Sequence, residues 1–226
     1  NGMLAQDEQF QAEQNARLVR SAERYYRTMF TGRVSTWNLR DRHMSDTLEA
    51  LWQHLNRRNS SQTRIAVWEH NSHVGDARAT DMGARGEYNV GQLTRERHDG
   101  ETLLLGFSTY HGTVSAASSW GGPVERKAVN PGLQGSYEEL FHSVAETAFF
   151  LELGARAPAT LYTPRLQRAI GVLYLPASER RSHYFNCTLT DQFDAVIHFD
   201  TTSALKPLDH LGGWESGAPD TYPFGL

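Results

Sequence analysis

Arg64-Ile-Ala-Val-Trp-Glu-His-Asn-Ser-His-Val-Gly-Asp76 is the stretch that decides the fold class. Its first part, Arg64 to Trp68, is a continuous apolar run rather than an alternating one, which is the pattern of a strand covered on both faces, as in a parallel sheet. The polar remainder then follows a strand end. In open α/β sheets ligands bind at that carboxyl edge, where loops converge on a crevice.

Outward from this stretch, helical and strand patterns alternate. Upstream, Phe10, Ala16, Val19, Ala22, Tyr26 and Met29 recur at spacings near three and four from Gln9 to Phe30, with no Gly or Pro between them, and predict one amphipathic helix. Arg17, Arg20, Arg24 and Arg27 form its solvated side. A second helix is expected from Ser45 as N-cap, with Leu48, Leu51 and Leu55 on one side, ending at Asn56-Arg57-Arg58-Asn59.

Downstream, a short helix is expected at Val90 to Arg97 and, after a turn at Asp99-Gly100, a strand at Thr102 to Phe107. The loop Gly121 to Gly135 leads into Ser136-Tyr-Glu-Glu139, whose spacing is that of a capping box, so a helix through Phe141 and Val144 follows. Ile170 to Leu175 and Phe193 to Phe199 read as two further buried strands, and the tail from Gly212 to Leu226 as irregular. The sum is an α/β fold with a largely parallel buried sheet flanked by helices, with no internal repeat and no linker, read as a single domain over 1–226.

Composition narrows the function. The chain has 226 residues, and Lys+Arg 22 against Asp+Glu 26 gives a formal net charge of −4. No general attraction for nucleic acid or an anionic membrane follows. The single cysteine, Cys187, excludes an internal disulfide and any two-thiolate metal site, which points to a reducing, cytoplasmic home. No apolar run approaches the length of a membrane helix, and the opening residues lack the pattern of a secretory leader.

The candidate chemistry sits in Glu69-His-Asn-Ser-His-Val-Gly-Asp76. Imidazole is the side chain whose ordinary pKa lies near neutrality, so His70 and His73 are the candidate catalytic residues, with Glu69 or Asp76 available to fix a tautomer. The plainer alternative is a histidine that only hydrogen-bonds a loop carbonyl. Paired imidazoles and a carboxylate also suit Zn²⁺ or Fe²⁺, but Asn71 and Ser72 between the histidines are better suited to hydrogen-bonding a substrate, so neither a metal nor a cofactor is expected.

Two further blocks, Trp37-Asn-Leu-Arg-Asp-Arg-His-Met44 and Glu179-Arg-Arg-Ser-His-Tyr-Phe185, set Arg beside polar and aromatic groups, either to grip a substrate oxygen or to make an internal ion pair. Arg40, Glu69, Asn71, Asp76 and Glu179 are the candidate substrate-binding residues. His198, among apolar neighbours, and His142, in the capped helix, read as structural histidines. No G-x-S-x-G elbow, Walker A loop or dinucleotide glycine fingerprint occurs.

Four blocks in this order, Trp37–Met44, Val67–Asp76, Glu179–Phe185 and Gln192–Asp200, resemble the erythromycin esterase family from about Glu13 to Leu208. The resemblance implies a partial fold of that type and a metal-independent ester hydrolase that opens macrolide lactones with activated water. It maps the family's A-H-N-x-H histidines onto His70 and His73, with Glu69 where the family usually has Ala. It also implies that these residues correspond to the second half of a longer chain whose first half carries the proposed general base. The expected partner is a small ester or macrolide-like substrate. The alternative is a divergent binding module, since family members also carry names linked to exopolysaccharide synthesis.

Overall fold

The computed structural model describes residues 2–30, 32–58, 62–155 and 157–206. The Gly- and Pro-rich tail and Asn59 lie outside them. The chain divides into two compact units: a helical one through Ala77 with Met82–Thr102, and a sheet unit of Arg78–Asp81 with the residues from Leu103 on.

The helical unit begins with α1 (Gly2–Thr28) and α2 (Arg33–Arg58). They are tied where Asp7 Oδ1 lies 2.8 Å from His54 Nε2 and both Asp7 oxygens accept from Arg58 Nη1, at 2.6 and 2.7 Å. The hydrogen bond from His54, then the Arg58 charge, hold the Asp7 carboxyl below its ordinary range. Helix α2 starts twelve residues before the expected Ser45. No Gly or Pro interrupts Arg33 to Arg58, so nothing breaks the helix there, and Ser45 is a buried mid-helix residue that accepts from Arg97 Nη1 at 3.0 Å.

The stretch expected to be the first strand has no regular secondary structure and joins no ladder among the described residues. It is not covered on both faces either, since Trp68 is 87% exposed. A strand's backbone groups need a neighbour, and an apolar run alone supplies none. Beyond it come the short α3 (Asn71–Val74) and α4 (Asp81–Ala84), then α5 (Val90–Arg97), close to its expected bounds.

In the sheet unit, β1 (Leu105–Ala116) extends well past the expected end, and β2 (Glu125–Val129) lies in what reads as loop. Helix α6 (Tyr137–His142) is capped as the spacing predicts: Ser136 Oγ accepts from Glu139 N at 3.2 Å, while Glu139 reaches back to Gly135 N at 2.6 Å. It ends before Val144. Then come β3 (Ala148–Glu152), β4 (Arg165–Arg168), α7 (Glu179–Ser182), β5 (Tyr184–Cys187), α8 (Leu189–Gln192) and β6 (Ala195–Thr202).

The main sheet has the order β2-β1-β6-β3, and β4 and β5 form a separate antiparallel pair. Helices against a sheet give the α/β class expected. The sheet is mixed rather than largely parallel: β1 and β6 pair in parallel, Leu105 to Ala195 through Gly112 to Thr202, between antiparallel β1–β2 and β3–β6. A connection as short as the one from β1 to β2 can only return antiparallel. Ile170 to Leu175 is no strand. Only Leu173 bridges, to Ala117, and the apolar character serves to bury Tyr174 beside Ala116 and Val129.

Gly112 is where β1 turns from β6 towards β2. Its φ is +125°, and a Cβ there would lie 2.1 Å from Thr202 O. Gly112→Ala therefore meets both backbone strain and a clash with main chain, and is expected to cost about 1–3 kcal/mol, read as a lowered urea midpoint. An unchanged midpoint would show that this crossing is not wedged.

Candidate functional site

Helix geometry places the site. Trp37, Asp41 and Ser45 are four residues apart on α2 and so share a face. The start of that face is stitched to the loop before α5: Trp37 Nε1 donates to Tyr88 O at 2.8 Å, Asn38 Nδ2 to Gly86 O at 2.9 Å, and Tyr88 N to Asn38 Oδ1 at 3.0 Å. Asn89 caps α5, accepting from Gln92 N, and its amide also donates to Ser72 O and Gly75 O of the histidine loop. Gly91 allows α5 to approach that loop, because a Cβ there would fall 2.2 Å from Val74 O.

Asp41 is fully buried at this junction. Its Oδ2 accepts from Val90 N at 3.2 Å, at the N-terminus of α5 where the helix dipole favours negative charge, and lies 2.9 Å from His73 Nδ1. A carboxylate can only accept, so His73 Nδ1 is the donor in this contact, and in the neutral ring Nε2 is then the acceptor. The His73 ring stacks on Trp37 at 4.5 Å and 8°, and its side chain keeps 18% exposure. Arg40 lies over the same indole at 5.4 Å.

His70 is arranged the other way round. It is the N-cap of α3, and its Nδ1 accepts from Ser72 N at 3.2 Å with Ser72 Oγ at 2.8 Å. A neutral imidazole that accepts at Nδ1 holds its proton on Nε2, so His70 is a donor. The loop thus carries two imidazoles, three residues apart, whose Nδ1 atoms have opposite hydrogen-bond roles.

Glu69 precedes them. Its Oε2 is buried without a hydrogen-bond partner among the described residues, as is Asp41 Oδ1. Burial raises the Glu69 carboxyl above its ordinary value; His73 opposes this and the Asp41 charge adds to it. Asn71 is part-buried and accepts from Gly75 N at 2.9 Å through its carbonyl. Asp76 is buried and paired with Arg95 Nη1 at 3.2 Å, tying the loop to α5.

Glu179 belongs to the sheet unit. There its Oε1 meets Arg168 Nη1 at 3.0 Å and Tyr174 Oη at 2.7 Å, and Oε2 accepts from Asn130 at 3.2 Å, which is the internal ion pair left open as an alternative. Sequence reasoning missed Asp41 and Trp37 as site residues. The four-residue spacing of Trp37 and Asp41 was the available signal, hidden by starting the helix at Ser45. Among the described residues no three His, Cys, Asp or Glu side chains are arranged to hold a metal ion, and no helix is long and apolar enough to cross a membrane.

Residues 1–202 match the profile of the family described as erythromycin esterase. The chain belongs to the erythromycin esterase family. Three solved structures share the fold. A Bacillus cereus protein has 21% identity and a TM-score of 0.67, covering 86% of this chain and 45% of its own. A succinoglycan biosynthesis protein has 21% identity and a TM-score of 0.62, with 79% and 42% covered. A histidine-to-asparagine mutant of erythromycin esterase EreC, in its open conformation, has 18% identity and a TM-score of 0.53, with 79% and 41% covered. The chain spans less than half the length of these relatives.

The Glu69 carboxyl gives a pH prediction. Its folded pKa lies above the unfolded value near 4.5, so the folded state holds the proton more tightly and stability falls as pH rises through that window. Glu69→Gln is expected to melt above the wild type at pH 7, with the gain shrinking as pH falls to 4.5 and below. A gain that is independent of pH would show that Glu69 ionisation is not penalised by folding.

Proposed function

We propose that the His70–His73 loop is the imidazole part of an ester-hydrolysing site, with macrolide lactones as the substrate class that family membership suggests. The observation that carries this is the pair of opposite ring contacts: His73 Nδ1 lies against the Asp41 carboxylate, whereas His70 Nδ1 accepts from the Ser72 backbone N–H. Ester hydrolysis needs both an acceptor that carries a proton and a donor that meets negative charge on oxygen.

In this reading His73 Nε2 takes a proton as water adds to the ester carbonyl and returns it to the departing alkoxide. Buried Asp41 favours the imidazolium formed in between, as the carboxylate does in a hydrolase triad. His70 Nε2–H supports the oxyanion. Arg40, whose guanidinium lies over the Trp37 ring, anchors a substrate oxygen or carboxylate. Glu69 and Asn71 flank His70 and supply hydrogen bonds to the substrate, while Asp76 serves through the ion pair with Arg95 that fixes the histidine loop; Glu179 takes no part in this site.

The test is turnover of macrolide lactones and simple p-nitrophenyl esters by the protein as its gene encodes it. His73→Ala and Asp41→Asn are each expected to lower kcat by about 10²-fold or more, with the fold retained by circular dichroism. Wild-type turnover in His73→Ala would contradict the assignment. Thermal stabilisation by a macrolide or an oligosaccharide without any product would replace hydrolysis by binding, the reading that the succinoglycan-related neighbour favours.

A further inference from the structure

A second series of polar side chains, in the sheet unit, lies outside the site described above. Ser108 on β1 and His198 on β6 are register partners in the parallel ladder, and Ser108 Oγ lies 2.8 Å from His198 Nδ1. His198 is fully buried, with Phe141 and Phe149 packed on its ring at 5.3 and 5.1 Å. Its Nε2 has no hydrogen-bond partner among the described residues and stands 3.7 Å from Asp200 Oδ1. Asp200, two residues on and therefore on the same face, is fixed by His142 Nδ1 at 2.6 Å, and His142 lies flat on Tyr110 at 3.7 Å and 2°.

The tautomer decides what this series can do. Burial keeps His198 neutral, so it carries a single ring proton. A proton on Nδ1 would leave a bare Nε2 lone pair turned to a carboxylate oxygen, which is repulsive. A proton on Nε2 points to Asp200 and leaves Nδ1 to accept from the Ser108 hydroxyl. The result is hydroxyl, imidazole and carboxylate in series, recognised by geometry rather than by chain order. The 3.7 Å separation from Asp200 is longer than a hydrogen bond, as catalytic contacts often are without a substrate.

Ser108 is partly exposed.

We propose that Ser108 is a serine nucleophile, with His198 as its base and Asp200 as its positioning residue, forming a second acyl-transfer site that takes carboxylic esters. Ser108 Oγ bonds to the ester carbonyl carbon while its proton passes to His198. The ester C–O bond then breaks, and the alcohol leaves with that proton. Water afterwards cleaves the acyl-serine by the same route, releasing the acid. This activity is independent of the water-based chemistry proposed for the helical unit.

An alkyl fluorophosphonate tests it on the native full chain: the Ser108 Oγ–P bond forms, the P–F bond breaks, fluoride leaves and the proton goes to His198. Peptide mass mapping is expected to find the adduct on Ser108 in the native chain, none on that peptide in Ser108→Ala, and labelling slowed at least about tenfold in a folded Asp200→Asn. Urea-unfolded chain provides the comparison should either variant fail to fold, and it is expected to stay unlabelled. No adduct on Ser108 in the native chain would overturn the proposal, as would equal labelling of native and unfolded chain, or an undiminished rate in folded Asp200→Asn.

Discussion

The helical unit is organised around one buried carboxylate. A carboxylate out of water is strongly unfavourable unless it is paired and hydrogen-bonded. Asp41 meets that demand on one oxygen, where Oδ2 takes the Val90 amide at the head of α5 and the His73 imidazole, while Oδ1 is buried without a hydrogen-bond partner among the described residues. Other features of the unit serve these two contacts. Helix α2 must run unbroken to bring Asp41 to the end of α5, Asn89 must cap that helix while holding the histidine loop, and Gly91 must lack a side chain so that the loop can come close.

The chemical consequence is directional. An imidazole in solution exchanges its single proton between two nitrogens, whereas here each ring has its tautomer chosen by a neighbour that can only accept or only donate. His73 faces a carboxylate and His70 a backbone N–H, so two identical side chains acquire opposite roles within one turn of helix. The stack of His73 on Trp37 fixes the ring plane as well, and the side chain stays partly exposed. Glu69, just before His70, adds a carboxyl that burial keeps reluctant to ionise.

Local signals were legible in the sequence wherever they were chemically complete. The capping box at Ser136–Glu139, the helix at Val90–Arg97 and the strand containing Ala195–Phe199 need only their own residues to be recognised, and each forms. The loop carrying His70 and His73 was found because imidazole density is visible without structure. Features that depend on partners were not legible. Ser45 has the chemistry of an N-cap but is a buried helix residue that meets Arg97, and the polar Glu125–Val129 becomes a strand only because β1 offers an edge. The run at Arg64–Trp68 has a strand's composition and no ladder among the described residues. Asp41 escaped for the same reason, since its importance lies entirely in what α2 places beside it.

The contact between Asp41 and His73 is directly observable by nitrogen-15 NMR of the imidazole rings at a pH where His73 is neutral. The account predicts His73 protonated on Nδ1, with a downfield hydrogen-bonded proton that is lost in Asp41→Asn, and His70 protonated on Nε2. His73 found with its proton on Nε2, or with a spectrum that Asp41→Asn leaves unchanged, would contradict it.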